Sequence, residues 1–417
     1  MTAAERSRAQ EIVAGLSVDE CLSLVCGKDF WTTAPVPGRV PSVMMTDGPH
    51  GLRKQMGDTD HVGLNDSVPS TCFPVATVLA STWDLDLEER IGEAIGQEIR
   101  AVGATLYGGV CVNVLRHPAW GRAQETYGED PFHVGELGAA LTRGVQRSAM
   151  ACVKHFACNS MENARFTVDV TVDEVALHEV YLPHFKRIVD EGVAAVMSAY
   201  NAVNGEWCGQ SPVLLTEVLR DEWGFEGMVI SDWIFGLRDA GASVAAGLDV
   251  EMPYRMIRAA GLDDALADGS CTEDDITAAV TNTVTTLLRF ADVVGAPSPG
   301  IDVLASPEHR ALAREAATKS LVLLRNEVVD GGPMLPLRPG ELGRVAVVGS
   351  LADVRNLGDD GRRGDLTVRT PFGTPRLGAK VELARHVLSL EPEHLRPVLL
   401  LTGRGVPPCR PVASSAW

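Results

Sequence analysis

Short apolar runs that end at a polar residue recur along roughly the first 250 residues of this chain, with amphipathic segments between them. Such runs are typical of buried parallel strands, and their alternation with helices indicates βα units. Six or more units predict a (β/α)8 TIM-like barrel rather than a doubly wound sheet. The runs and the residues after them are Val43–Met45 before Asp47, Ala151–Val153 before Lys154 and His155, Val196–Met197 before Tyr200, Met228–Ile230 before Asp232, and Leu248–Val250 before Glu251.

The polar residues after these runs indicate an active site. In a parallel barrel all strands end at one rim, and that rim carries the chemistry. A carboxylate is costly to desolvate, so Asp232 at the end of GMVISDW is our candidate nucleophile. Capping of a helix is the alternative role for Asp232. The convergence of several polar residues on one rim favours the active site.

Composition excludes several classes of function. A net charge of −18 argues against nucleic acid or an anionic membrane as a partner. The sequence shows no apolar stretch of membrane-spanning length and no secretory signal. Several of the nine cysteines lie in apolar runs, which suits buried free thiols in a cytoplasmic protein. No ligand spacing predicts a metal, and no motif predicts a cofactor.

The chain divides by composition into a barrel and a second part. We predict a catalytic barrel over 1–294, a linker over 295–306 that contains GAPSPG, the start of an incomplete α/β sandwich domain over 307–361, and a divergent basic tail over 362–417 that is a candidate for disorder. The tail carries nine Lys and Arg against four Asp and Glu. Either this tail is genuine, or the second domain stops early and unrelated sequence follows, and the change in charge favours the second account.

A series of motifs in one order connects this sequence to a known family. It resembles glycoside hydrolase family 3, in the branch of β-glucosidases and β-xylosidases. The resemblance covers about Ser17 to Gly361 and implies the barrel and the sandwich domain. The motifs are TDGPHGLR, RHPAWGRAQETYGEDP, KHFACNSMENAR, VMSAYNAVNG, LLTEVLRDEWGFEGMVISDW, AGLDVEMP and VAVVGSLADVRNLGDDG.

The resemblance implies roles for individual residues. Asp232 matches the nucleophile that forms a covalent glycosyl-enzyme, and Asp47 matches a carboxylate that binds sugar hydroxyls. Trp233 matches an aromatic residue beside the bound ring. The residues that match the remainder of the subsite for the non-reducing sugar are Arg53, Arg122, Lys154, His155 and Tyr200. The implied partner is a small carbohydrate or glycoside, without a cofactor, and the oligomeric state stays open.

Some of these residues have other interpretations. Lys154 on a barrel strand is compatible with a Schiff-base lysine, although neighbouring carboxylates would raise its pKa. Glu125, Glu129, Asp130, Glu162 and Arg165 are candidates for substrate contacts, but buried ion pairs that hold the loops are the role we expect for them.

The general acid/base is the part of the pattern that this sequence lacks. In the resembled family it is a Glu of the second domain, downstream of GDDG, and no motif marks Glu382, Glu391 or Glu393 as that residue. Two functions therefore stay open. The first is a retaining, exo-acting β-glycosidase, β-glucosidase-like, that hydrolyses terminal non-reducing β-D-glycosyl residues. The second is a truncated, catalytically impaired sugar-binding barrel.

Overall fold

The computed structural model of this chain describes residues 2–54, 67–329, 331–333, 335–338 and 340. The described residues up to Leu321 form one compact unit, and those from Val322 onward belong to a second. The strands are β1 (Met45–Thr46), β2 (Leu106–Cys111), β3 (Met150–Phe156), β4 (Asp169–Val170), β5 (Ala195–Ser198), β6 (Ala202–Val203), β7 (Glu206–Trp207), β8 (Met228–Ile230), β9 (Val328–Val329) and β10 (Gly332–Pro333).

The helices confirm the amphipathic segments that the sequence predicts. The α-helices are α1 (Ala3–Ala14), α2 (Val18–Leu24), α3 (Ala76–Ala80), α4 (Leu85–Ala101), α5 (Pro131–Val145), α6 (Glu174–Ala176), α7 (Pro183–Asp190), α8 (Ala240–Ala245), α9 (Ile257–Asp268), α10 (Glu273–Arg289), α11 (Ala291–Gly295) and α12 (Pro307–Lys319). π-Helical segments cover Leu177–Tyr181 and Val213–Glu222, and 3-10 turns cover Ala123–Glu125, Cys208–Gln210 and Ile301–Val303.

The central sheet is parallel, in the order β1-β2-β3-β5-β8, and it closes on itself. Ile230 at the end of β8 pairs with Val250, and Glu251 pairs with Cys26, both in parallel. Antiparallel pairs then complete the ring, Gly27 with Thr33 and Thr32 with Met44. Within the described residues the paired segments around the ring are 26–27, 32–33, 44–46, 106–111, 150–156, 195–198, 228–230 and 250–251. The prediction of a TIM-like barrel is confirmed.

One segment of the ring departs from a strictly parallel barrel. Residues 28–31 connect segment 26–27 to segment 32–33, and the two segments run antiparallel. A crossover that keeps strands parallel needs a dozen or more residues. The link is therefore too short for a helix, and the chain turns back on itself instead.

Side chains alternate between the inside of the barrel and the surrounding helices. Met150 and Cys152 of β3 face the inner cluster, whereas Ala151 and Val153 face the layer formed with α4, α5 and α7. The helical layer is large because it buries a full face of the helix pair α4 and α5. Residues of a strand at i and i+2 share a face, so this alternation determines which rim residues point along the barrel axis.

The barrel wall is closed by buried polar contacts as well as by apolar packing. Arg258 of α9 is fully buried and donates to the carbonyl groups of Val25, Leu248 and Asp249. Glu251, which the sequence places at the rim, accepts from three backbone N–H groups at the start of α9. Glu251 therefore caps a helix, as a carboxylate at a helix N-terminus commonly does.

The described chain beyond the barrel is short. Helix α12 belongs to the first unit, where Arg90 of α4 forms an ion pair with Glu315. In the second unit β9 and β10 form a small antiparallel hairpin. The predicted limits of the linker and the sandwich domain stay predictions, and residues 341–417, which include the basic tail, lie outside the described residues. No helix of the described part is both long and apolar enough to cross a membrane.

Candidate active site

A pocket opens at the carboxyl ends of the barrel strands. Five of the eight predicted site residues line it: Asp47, Arg53, Lys154, Asp232 and Trp233. Its free space is about 450 Å³ including the open mouth.

Strand alternation explains how three of these residues reach the pocket. Met45, Cys152 and Ile230 belong to the inner cluster of the barrel. Asp47, Lys154 and Asp232 each lie two residues further along, so they continue the inward-facing set of β1, β3 and β8. The barrel axis is filled by apolar side chains below and by charged side chains at the rim.

Arg53 reaches the pocket through a tight turn after β1. The backbone N–H of Arg53 donates to the carbonyl of Asp47 at 2.8 Å, which closes the turn. Gly48 has a φ of +115°, and a Cβ there would lie 2.1 Å from the carbonyl oxygen of Gly51. The turn therefore requires glycine at position 48.

Lys154 and Asp47 form an ion pair in the pocket. The Nζ of Lys154 donates to Oδ1 of Asp47 at 2.6 Å, and the lysine side chain is 3% exposed. Burial raises the pKa of Asp47, but Lys154 and Arg53 outweigh it and hold that pKa well below its usual range. Burial lowers the pKa of Lys154, but Asp47 raises it above the usual value. A charged lysine opposes the Schiff-base interpretation, because that chemistry needs the neutral amine.

Asp232 is nearly buried and only partly hydrogen-bonded. Its Oδ1 accepts from the backbone N–H of Trp233 at 2.7 Å, and its Oδ2 has no hydrogen-bond partner among the described residues. Burial raises the pKa of Asp232, and the charges of Arg122 and Lys154 oppose that shift without reversing it. The cations lower the pKa of Asp232, but desolvation is the larger effect.

The other three predicted residues stand behind the pocket wall. His155 lies 3.6 Å from Asp232, measured from Nε2 to Oδ2. Arg122 lies within hydrogen-bond distance of the same imidazole nitrogen, at 3.0 Å. The hydroxyl of Tyr200 donates to the carbonyl of Trp233 at 2.6 Å. These residues surround Asp232 without lining the free space.

Two of the carboxylates considered as loop-holding residues form the expected ion pairs, whereas Asp130 caps α5. Glu125 contacts Arg122 through two bonds, of 3.0 and 2.7 Å, and Glu162 pairs with Arg165 at 2.8 Å. Arg165 also lies over the ring of Tyr200, 4.9 Å from its centroid. Arg122, Lys154 and Arg165 are therefore each paired with a carboxylate other than Asp232, which lies within their field.

Sequence reasoning missed part of the pocket wall. Phe30 and Trp31 lie on the short link between segments 26–27 and 32–33, and Gly108 and Met197 come from β2 and β5. The indole Nε1 of Trp31 is buried and has no acceptor among the described residues. The adjacent aromatic residues were visible in the sequence, but nothing in it placed the link at the rim. Thr46 also lines the pocket.

The fold and the site define a closed (β/α)-barrel protein with a charged pocket at its carboxyl rim. Residues 37–287 match the profile of the glycosyl hydrolase family 3 N-terminal domain. This match covers more than half of the chain. The chain therefore belongs to glycosyl hydrolase family 3.

Individual glycosidases are similar to this chain over most of its length. Thermostable β-glucosidase B of Acetivibrio thermocellus is 40% identical over 345 residues, which are 82% of this chain and 44% of the relative. The exo-α-(1→6)-L-arabinopyranosidase of Bifidobacterium breve is 37% identical over 358 residues, covering 82% and 45%. The structure of β-glucosidase 3B from Thermotoga neapolitana in complex with α-D-glucose has a TM-score of 0.73 at 34% identity, covering 82% and 50%. The chain thus spans about half the length of these relatives.

Proposed function

We propose that this chain carries the nucleophile and the sugar subsite of a retaining, exo-acting β-glycosidase of β-glucosidase type. The observation that carries the proposal is the convergence of Asp232 with the ion pair of Asp47 and Lys154 in one pocket at the barrel rim. A pyranose ring presents hydroxyls that both donate and accept. Asp47 supplies acceptors, and Lys154 and Arg53 supply donors.

Unpaired polar atoms around the pocket support a hydroxyl-rich ligand. The indole Nε1 of Trp31 is a donor without an acceptor, and Oδ2 of Asp232 is an acceptor without a donor, both within the described part of the chain. Unpaired buried polar groups are costly, by about 1–3 kcal/mol each. A ligand that supplies hydroxyls is suited to recover part of that cost. The relative solved with α-D-glucose lends further support.

In the proposed reaction Asp232 attacks the anomeric carbon while the bond from that carbon to the aglycone oxygen breaks. The departing oxygen takes a proton from a general acid, and water later cleaves the glycosyl-enzyme with the same group acting as base. Asp47 is unsuited to this role, because its lowered pKa keeps it ionised beside Lys154. The acid must therefore be another group.

A trapping experiment tests the nucleophile. We expect an aryl 2-deoxy-2-fluoro-β-glucoside with a good leaving group to add one sugar mass to the protein, with the label on Asp232. Asp232→Ala should take up no label, and Asp190→Ala, which removes an exposed carboxylate, should label like wild type. Label on another residue, or label that persists in Asp232→Ala, would show the assignment to be wrong.

A sugar-binding barrel without efficient hydrolysis is the second candidate. It is favoured by one observation: of the described residues that line the pocket, the carboxylates are Asp47 and Asp232 alone. Glucose binding measured by calorimetry, together with the rate of disaccharide hydrolysis, separates the two functions. Binding without hydrolysis supports the second candidate.

We further propose a cytoplasmic location, in keeping with the eight described cysteines, which are all free thiols.

A further inference from the structure

The imidazole of His155 is held in one protonation state by its neighbours. Burial, together with the charges of Arg122 and Lys154, holds the pKa of His155 well below its usual range, so the ring is neutral. The guanidinium of Arg122 lies 3.0 Å from Nε2, and a guanidinium has only donors. Nε2 must therefore accept, which places the single ring proton on Nδ1, facing Oδ1 of Asn113 at 3.4 Å.

This tautomer leaves the oxygen of Asp232 that faces His155 without a donor. Nε2 of His155 is 3.6 Å from Oδ2 of Asp232 and carries no hydrogen to share with it. The other tautomer would place an N–H beside that oxygen. A hydrogen bond to the ionised form of a carboxylate stabilises it and lowers its basicity.

Arg122 is held in place from its other side by Glu125. The carboxylate of Glu125 is 1% exposed and accepts from Nε and Nη2 of Arg122, at 3.0 and 2.7 Å. Bidentate pairs of this kind fix the plane of the guanidinium. With both of those nitrogens occupied, Nη1 is the one directed at His155.

We propose that Glu125 is a positioning residue: by fixing Arg122 against His155, it keeps Nε2 free of hydrogen and withholds a hydrogen-bond donor from the nucleophile Asp232. The effect on the tautomer is independent of what the protein catalyses. The effect on rate rests on the proposed function.

The other charged groups around Asp232 do not replace this arrangement. Lys154 is paired with Asp47, and Arg165 is paired with Glu162. The Tyr200 hydroxyl donates to the carbonyl of Trp233. Burial raises the pKa of Tyr200, and the carboxylate of Asp232 lies close enough to that hydroxyl to raise the pKa further. Arg122 also lies within the field of Glu162. Among these groups, Arg122 is the one that contacts Nε2 of His155.

Nitrogen NMR of protein with labelled histidine tests the tautomer directly. His155 is one of ten histidines, and its signals are identified by their loss in His155→Gln. In wild type we expect Nε2 to resonate as an unprotonated acceptor. In Glu125→Gln we expect a population with the proton on Nε2. Glu162→Gln is the matched control, because it removes a rim carboxylate of an i,i+3 ion pair that does not contact His155, and it should keep the wild-type tautomer.

A second variant tests the tautomer independently in case Glu125→Gln does not fold. Arg122→Gln removes the obligatory donor at Nε2 and offers an amide oxygen in its place, so it should also move the proton to Nε2. Wild-type protein with the proton on Nε2, or unchanged Nδ1 protonation in both folded variants, would overturn the proposal.

The rate of glycosylation provides the functional readout. In the first step the Asp232 carboxylate bonds to the anomeric carbon as an aryloxide leaves, and the acid limb of its pH profile reports ionisation of Asp232. For Glu125→Gln we expect this limb to move to lower pH by about one unit and the plateau rate to fall by up to about tenfold. A changed tautomer with an unchanged limb would overturn the link to Asp232. If wild type releases no initial burst of aryloxide from an activated aryl glycoside, the proposed function is contradicted. The NMR result still decides the tautomer in that case.

Discussion

The charges of the pocket are set by a few side chains that strand alternation brings together. Asp47 is ionised and paired with Lys154, whereas Asp232 has a raised pKa and an unpaired oxygen. The two carboxylates stand in one pocket but in opposite electrostatic surroundings. Such contrast between neighbouring carboxylates is how an enzyme assigns different roles to the same chemical group.

Asp232 should lower the stability of the protein at neutral pH. Because the folded pKa is raised above the unfolded value, the folded state binds the extra proton, and stability falls as pH rises through that interval. We expect Asp232→Asn to raise the free energy of unfolding at pH 7 by about 0.5–2 kcal/mol. The gain should vanish near pH 3, where the carboxyl is protonated in both states. Urea denaturation at both pH values measures it, and a loss of stability at pH 7 would contradict the prediction.

Glu88 of α4 should produce a second pH dependence. Burial raises its pKa from 4.5 to about 7, although the hydroxyl of Tyr127 donates to it at 2.5 Å. The stability of wild type should therefore fall as the pH rises from about 4.5 to 7. At pH 8 the free energy of unfolding of Glu88→Gln should exceed that of wild type by about 1–3 kcal/mol. In this variant the hydroxyl of Tyr127 still has an acceptor, the amide oxygen of the new glutamine. Equal denaturation midpoints at pH 8 would show that Glu88 ionises without cost.

Helices and strands can be predicted from the sequence where the hydrophobic periodicity is strong. Helix α10 follows the acidic run Glu273–Asp275, and Thr272 caps it with Asp275 in a capping box. The antiparallel segment 32–33 was not predicted, because it is defined by its pairing with distant residues rather than by a local pattern. Local patterns indicate helices and strands, whereas pairing partners depend on the closed ring.

Helix α12 is attached to the barrel through a buried carboxylate. Glu98 of α4 is fully buried and accepts from His309 of α12 at 2.9 Å. It also accepts from the backbone N–H groups of Thr71 and Ala305, and from the hydroxyl of Thr71. One side chain thus joins three separate segments of the first unit.

Removal of that carboxylate should cost far more stability than removal of a surface ion pair. We expect Glu98→Ala to lower the free energy of unfolding by about 3–5 kcal/mol, because several buried donors lose their acceptor together. Arg90→Ala, which breaks an exposed pair with Glu315, should cost less than about 1 kcal/mol. Denaturant titrations of the two variants measure the difference. Similar values would mean that solvent replaces Glu98.

For the molecule as a whole, the sequence predicted the barrel, and the roles of the site residues stay predictions. Five of eight predicted residues line the pocket, and three form the layer behind it. Strand parity would have separated Lys154 from His155 in advance, since Lys154 continues the inward set and His155 the outward one. The pairing of Arg122 with His155 was beyond sequence reasoning, because it depends on the loop after β2 folding back over β3.

The 417-residue chain should hydrolyse glycosides with poor leaving groups slowly. The described pocket offers no carboxyl group fitted to act as the acid, since Asp47 is held ionised and Asp232 is the proposed nucleophile. An aryl glycoside with a good leaving group needs little protonation, so it should give a burst of product. The glycosyl-enzyme should then persist, because general acid-base assistance is worth about 10²–10⁴-fold.

Azide should therefore speed turnover of the aryl glycoside and yield a β-glycosyl azide, because the anion attacks the intermediate without needing a base. Disaccharides should be cleaved very slowly. Leu321 and Leu324 are 81% and 91% exposed, so light scattering must first show that the preparation is not aggregated. A well-dispersed chain that hydrolyses cellobiose efficiently and does not respond to azide would show that an acid/base group is present and active.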